Sequence, residues 1–214
     1  STRIFRITGI GYQPKGEFFL DKHKINPDQY PDLIHLLNCI VLCNGALLVE
    51  ENGIFKIIGD PTEGALLTAA GKAGIDKEKI EQKYTFINEI PFDSDRKKMT
   101  IIRQHNNQLT AFIKGAPDVL LNDCTRIEEN GIQRILTAAD REAIQKVNHD
   151  LANEAMRVLA VAYRNVDANE KHDSKTIENN LTFVGLTAMI DPPREEVKKA
   201  MQECKSAGIK TVMI

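Results

Sequence analysis

The chain has 214 residues, 42% of them hydrophobic and 27% charged, which supplies a sizeable core for one large domain or one domain with part of another. A formal net charge of -2 and a pI near 6.2 lack the basic field that drives sequence-independent nucleic-acid binding, so neither DNA nor RNA is an expected partner. No run reaches the roughly 18 consecutive apolar residues of a membrane helix, and direct membrane insertion is not expected.

The opening "STRIFRITGI" lacks the apolar stretch of a signal peptide. Because the chain starts at Ser1 and stops inside the β-rich run "KTVMI", it is expected to be part of something larger. A helix is predicted from Asp28 to about Cys43, where Cys39 and Cys43 stand at i, i+4 in "LIHLLNCIVLCN". With Cys124 and Cys204 they read as reduced core thiols, and no spacing supports metal ligation. "ALLVEENGIFKII" then carries an Asn-Gly pair between β-prone segments, the signal of a hairpin. In "GDPTEGALL" Asp60 can cap a helix to about Ala73, with Pro61 at its first position and Glu63 placed to reach back as in a capping box.

"MTIIRQHNNQLTAFIK" and "TRIEENGIQRIL" repeat the hairpin pattern, so an antiparallel sheet is expected. Between them a helix runs from Ala116 to about Asn122; after them Thr137 and Asp140 start another, Ala138 to about Ala155. "MRVLAVAYR" is an apolar strand, and "DANEKHDSKTIENN" reads as a mobile surface loop. "LTFVGLTAMI" gives way to a Pro-Pro helix start, a helix from Pro193 to about Ala207, Gly208 and a further apolar run, a βαβ pattern. The fold class is α+β: a mainly antiparallel sheet flanked by helices, plus a C-terminal partial βαβ unit. The shift near Asp191 divides the chain into 1–190 and 191–214.

Phosphate-binding glycine motifs fail: Gly71-Lys72 is followed by Ala73, and nothing completes a dinucleotide pattern after Gly9-Ile10-Gly11. A nucleotide would instead need a stacking ring, discrete cations and a glycine for close approach. Phe92 and Lys97 in "FDSDRKKMT", Lys114 in "FIKGAPDVLL" and Arg157 can supply these. Each has a plainer reading. Phe92 also suits a core ring, Lys97 and Lys98 a solvated strand edge, and Gly115 with Pro117 a strand-to-helix turn. Glu63 suits a cap as well as a ligand acceptor, and Arg157 a surface ion pair.

Taken in order, "GDPTEGALL", "FDSDRKKMT", "KGAPDVLL", "MRVLAVAYR" and "VGLTAMIDPPREEV" resemble the cytoplasmic nucleotide-binding domain of P-type cation-transporting ATPases, most closely the calcium-pump branch. The resemblance implies a domain inserted between halves of a phosphorylation domain, with "DPPR" marking the return across the hinge at Asp191 and Pro193. It implies that Phe92 stacks on adenine, Glu63 with Thr62 contacts the adenine edge, and Lys97 and Lys114 line the pocket. Gly115 and Ala116 form its floor, Leu159 touches the base, Arg157 serves the phosphates, and Lys98 is left to solvent. Animal calcium pumps usually carry an arginine two positions after the phenylalanine, where this chain has Ser94, and Arg96 could partly replace it.

By the same resemblance the cofactors are ATP and Mg2+, and the partners are the phosphorylation and actuator domains of the same chain. The location is the cytoplasmic side of a membrane, and a monomer is expected. The phosphorylated aspartate would precede Ser1, so the fragment is expected to bind ATP without turning it over. Two other readings are a non-catalytic nucleotide-sensing module and a protein-interaction domain without a ligand.

Overall fold

The computed structural model describes residues 3–190 and 195–212. Asp191 and Pro193, the expected hinge positions, lie outside the described residues. Three strands, β1 (Phe5–Ile7), β2 (Phe18–Leu20) and β3 (His23–Ile25), form a small antiparallel sheet. At three residues each they are too short to display a period, which is why the sequence did not announce them. A 3-10 turn, Pro27–Gln29, precedes helix α1 (Pro31–Leu42). The single helix expected from Asp28 is broken at Tyr30, because a proline disfavours helical backbone in the residue before it.

The three expected hairpins form, each closed by consecutive residues in the left-handed region: Asn52-Gly53, Asn106-Asn107 and Asn130-Gly131. They do not share one sheet. The pair β4 (Leu47–Glu51) and β5 (Ile54–Ile58) stands alone, followed by α2 (Pro61–Lys72) and α3 (Lys77–Glu81). The main sheet takes β6 (Thr85–Asp93), β7 (Lys98–His105) and β8 (Gln108–Gly115). After α4 (Pro117–Leu120) it takes β9 (Cys124–Glu129) and β10 (Ile132–Ile135). Helix α5 (Ala138–Asn153) leads to β11 (Arg157–Val166), and α6 (Ser174–Ile177) to β12 (Leu181–Met189), before α7 (Glu195–Ser206).

The seven strands lie in the order β10-β9-β12-β11-β8-β7-β6, antiparallel throughout except for β12 beside β9. Residues Lys98 to Arg103 of β7 are buried without alternation, as expected of an interior strand covered on both faces. On one face Met99, Ile101, Phe112 and Val161 pack with Leu37, Ile40 and Val41 of α1 and Leu66 and Leu67 of α2. On the other, Ile102, Ile113, Ala160 and Ala162 pack with Leu120, Leu121 and Ile177. Cys39, Cys43 and Cys124 are buried free thiols, matching the core reading, whereas Cys204 on α7 is a free thiol only partly buried and outside the core.

Two expectations near the C-terminal half change. The segment 167–180 is fastened down: Ile177 and Glu178 are buried, and the Arg164 guanidinium donates to the Thr176 carbonyl at 3.1 Å while pairing with Glu170. Its polar composition serves anchoring bonds rather than solvent. Of the expected C-terminal βαβ only the first strand and the helix form among the described residues, as β12 and α7; β12 is an interior strand of the main sheet, and residues 209–212 form no strand.

At the start of α5 the expected capping box is complete, with Thr137 N donating to Asp140 Oδ2 at 2.9 Å and Asp140 N to Thr137 Oγ1 at 3.2 Å. The Arg134 guanidinium, followed by the Thr137 hydroxyl and amide, holds the Asp140 carboxyl well below the usual carboxylate range. A depressed folded-state value contributes stability that is full above the unfolded value, about 3.9, and is lost as pH falls through the folded value. Urea unfolding of wild type and Asp140→Asn should therefore differ by a constant amount above about pH 5 and converge on acidification below about pH 4. A gap independent of pH would contradict the assignment.

Candidate functional site

Strand register assembles one end of the main sheet. Asp93 pairs with Lys98, Lys98 with Gly115, and Gly115 with Ala160, so the ends of β6, β7 and β8 lie in one row with Ala160, three residues inside β11. Beyond that row the turn from β6 to β7 is ordered by its own polar atoms: Asp93 Oδ1 accepts from Asp95 N at 3.0 Å and Arg96 N at 2.8 Å. Those amide bonds, Arg96's foremost, pull the Asp93 carboxyl below its ordinary value. Lys97 closes the turn in the left-handed region at φ 50°, its N–H donating to the Asp93 carbonyl at 2.6 Å. The Ala116 amide donates to the Lys97 carbonyl at 3.0 Å. A Cβ added to Gly115 would sit 2.5 Å from that same oxygen, so the glycine is a requirement of close approach.

Phe92 is 64% exposed, which sets aside its reading as a core ring. Lys97 is exposed too, and its ammonium enters no hydrogen bond or ion pair among the described residues.

The facing wall comes from α1 and α2. Asp60 caps α2 as expected, accepting from Thr62 N at 2.8 Å and Glu63 N at 3.1 Å. The reciprocal half of that capping box does not form. Glu63 turns away, accepts the Gly45 amide at 3.1 Å on one carboxylate oxygen and pairs with the Lys114 ammonium through the other. Lys114, 7% exposed, also donates to the Cys43 carbonyl at the end of α1, where the helix dipole favours a cation. Burial raises the neighbouring Cys43 thiol above its ordinary value against the opposing pull of Lys114.

Sequence reading did not anticipate the bend Cys43-Asn44-Gly45 that presents this carbonyl and amide. Asn44, 1% exposed, locks it by donating to the Glu63 carbonyl at 2.9 Å and accepting from Ala46 N at 3.0 Å. Lys77 adds bonds to the carbonyls of Asn44 and Ala46 at 2.8 and 2.7 Å, and burial lowers its pKa. The Asn-Gly pair at 44–45 was the available signal.

Arg157, the first residue of β11, is exposed and donates to the Thr62 hydroxyl, tying the sheet end to the start of α2. Leu159 is partly buried against the α1–α2 core. Glu63 with Lys114, Thr62 with Arg157, and Lys97 with Gly115 and Ala116 are thus joined in pairs around one end of the sheet. Two expectations are corrected. Lys98 is 7% exposed and paired with Asp123 at 2.6 Å and Glu178 at 3.5 Å, because its side of β7 is covered. Arg96 donates to Glu178 at 2.5 Å and to the Pro91 carbonyl at 2.6 Å, so it faces the protein rather than replacing a cation at exposed Ser94. An exposed ring, a floor without a side chain, a carboxylate wall and two exposed cations suit a ligand with a flat base and an anionic tail.

Comparison with known proteins gives the family. The family described as P-type ATPase, cytoplasmic domain N, matches residues 32–196. The chain is 43% identical over 213 residues to a calcium-transporting ATPase of Bacillus subtilis, covering 99% of this chain and 24% of that protein. It is 32% identical to calcium-transporting ATPase 3, endoplasmic reticulum-type, of Arabidopsis thaliana, over 98% of this chain and 24% of the relative. The cation-transporting ATPase pma1 of Synechocystis is 34% identical over the same shares, 98% and 24%. The chain therefore spans about a quarter of the length of these relatives.

Proposed function

Because the chain belongs to the P-type ATPase cytoplasmic domain N family, we propose that residues 1–190 bind Mg-ATP and present its γ-phosphate to an aspartate of a neighbouring phosphorylation domain. Residues 191–214 are then the hinge and the first part of that domain. The observation that carries this reading is the exposed Phe92 ring at the end of β6, next to Asp93, which shares a register row with Lys98 and Gly115. The ring would stack on adenine, with Leu159 as a further apolar contact and Glu63 and Thr62 at the base edge. Lys114 is neutralised by Glu63, so its part is to fix that carboxylate and line the pocket. Lys97 and Arg157 remain to meet the phosphate oxygens, and the Mg2+ would be held by the phosphates themselves.

Bound ATP supplies the phosphoryl group; the residues here hold and orient it, and the chain alone binds without turnover. In the whole protein the partners would be the phosphorylation and actuator domains of the same chain, on the cytoplasmic side of the membrane. The transported cation would be calcium, as the names of the Bacillus subtilis and Arabidopsis relatives suggest. No helix among the described residues is long and apolar enough to cross a membrane. The chain itself is taken as a monomer.

Titrating ATP, ADP and adenosine into the labelled chain tests the reading. Saturable amide shifts should concentrate at Thr62–Glu63, Phe92–Lys97, Lys114–Ala116 and Arg157–Leu159, with Lys97 and Arg157 responding more to ATP than to adenosine. Absence of saturation, or shifts centred on the β9–β10 hairpin, would overturn it.

A further inference from the structure

Glu178 is the one buried carboxylate among the described residues, at 5% exposed, and it belongs to no part of the site above. Its carboxylate accepts from Arg96 Nη1 at 2.5 Å and Thr100 Oγ1 at 2.8 Å, with the Lys98 ammonium 3.5 Å away. Residues 96, 98 and 100 alternate along the turn and β7, so one side of this segment converges on a single acid. Lys98 is held from the other direction by Asp123 at 2.6 Å.

The segment bearing Glu178 is itself immobilised. Asp173 caps α6 by accepting from Thr176 N at 2.8 Å, and the Glu178 amide donates back to the Ser174 carbonyl at 3.0 Å. Arg164 of β11 donates to the carbonyls of Thr176 and Asn179 at 3.1 and 3.4 Å. Asn88 of β6 donates to the His172 carbonyl at 3.1 Å. The segment 167–180 is thus pinned to the sheet on both sides and delivers one carboxylate to the turn between Phe92 and Lys98.

Building on the proposed nucleotide site, we infer that Glu178 is a positioning residue: acting through Arg96, it holds the β6–β7 turn in the conformation that offers Phe92 and Lys97 to the ligand. It touches no ligand. Its charge is matched to the turn's inward cations, which keeps Arg96 turned toward the protein and leaves Lys97 facing out.

The full chain carrying Glu178→Gln tests this, with Arg96→Gln as a second variant that removes the guanidinium from both Glu178 and the Pro91 carbonyl. Both should weaken ATP and adenosine alike, by roughly tenfold, the scale on which outer-layer partners tune a site. Amide exchange should quicken at Arg96 and Lys97 and stay unchanged at Ile127 in β9. In a Phe92→Ala background Glu178→Gln should cause no further loss for adenosine. Unchanged affinities, a loss additive with Phe92→Ala, or an Arg96→Gln loss confined to ATP would each overturn the inference, the last because it marks a direct phosphate contact. If wild type binds neither ligand, the nucleotide reading fails separately, and exchange at Arg96 and Lys97 still decides whether Glu178 holds the turn.

Discussion

Phe92→Ala should lower ATP affinity by roughly 5- to 150-fold, because base stacking on an aromatic side chain is worth about 1–3 kcal/mol. Thermal stability should barely move. The ring is 64% exposed and takes no part in the aromatic contacts among the described residues, so its removal opens no cavity. Phe92→Tyr keeps the stacking face and should bind nearly as wild type. Calorimetric titration with ATP and adenosine reads the loss, which should be equal for both because the ring meets the base. Wild-type affinity in Phe92→Ala, or a large drop in melting temperature, would return Phe92 to a structural role.

The second large effect is on folding. In Lys114→Met the Glu63 carboxylate, with only 14% of its side chain exposed, keeps the Gly45 amide and loses its cation. Leaving one member of a buried pair without its partner costs about 3–5 kcal/mol. A midpoint shift of that size in urea, with m unchanged, is the expected result. Adding Glu63→Gln should restore most of the stability, since neutralising both members removes the orphaned charge. It should not restore ATP binding, because the base edge loses its carboxylate. Full recovery of affinity in the double variant would show that the pair is only scaffolding.

How far these residues could be read in advance depended on where their partners lie. The hairpins were legible because Asn-Gly and Asn-Asn pairs encode left-handed turns locally, and the Thr137–Asp140 cap was legible because both halves sit within one helical turn. Glu63 carries the same local signature, yet its carboxylate is claimed by Lys114, 51 residues away. Lys98 looked like a solvated edge because the groups that bury and pair it, Asp123 and Glu178, arrive from later segments. The charged run 167–180 likewise reads as a loop because Arg164 and Asn88, which hold it, lie outside it in sequence. Residue type names Phe92, Lys97, Lys114 and Arg157 only as candidates, the family resemblance gives them their roles, and register sets β6, β7, β8 and β11 side by side.

The bond from Arg157 to Thr62 closes a loop of 95 residues, and that from Lys114 to the Cys43 carbonyl one of 71. Contacts so distant in sequence are made late, after closure entropy has been overcome by strand pairing. The hairpins can close early and alone, whereas the walls of the site meet only once β11 has docked between β8 and β12. On the proposed nucleotide reading, capacity for ligand is then acquired near the end of folding, and a partly folded chain with most of its secondary structure in place would still have nothing to grip a nucleotide with.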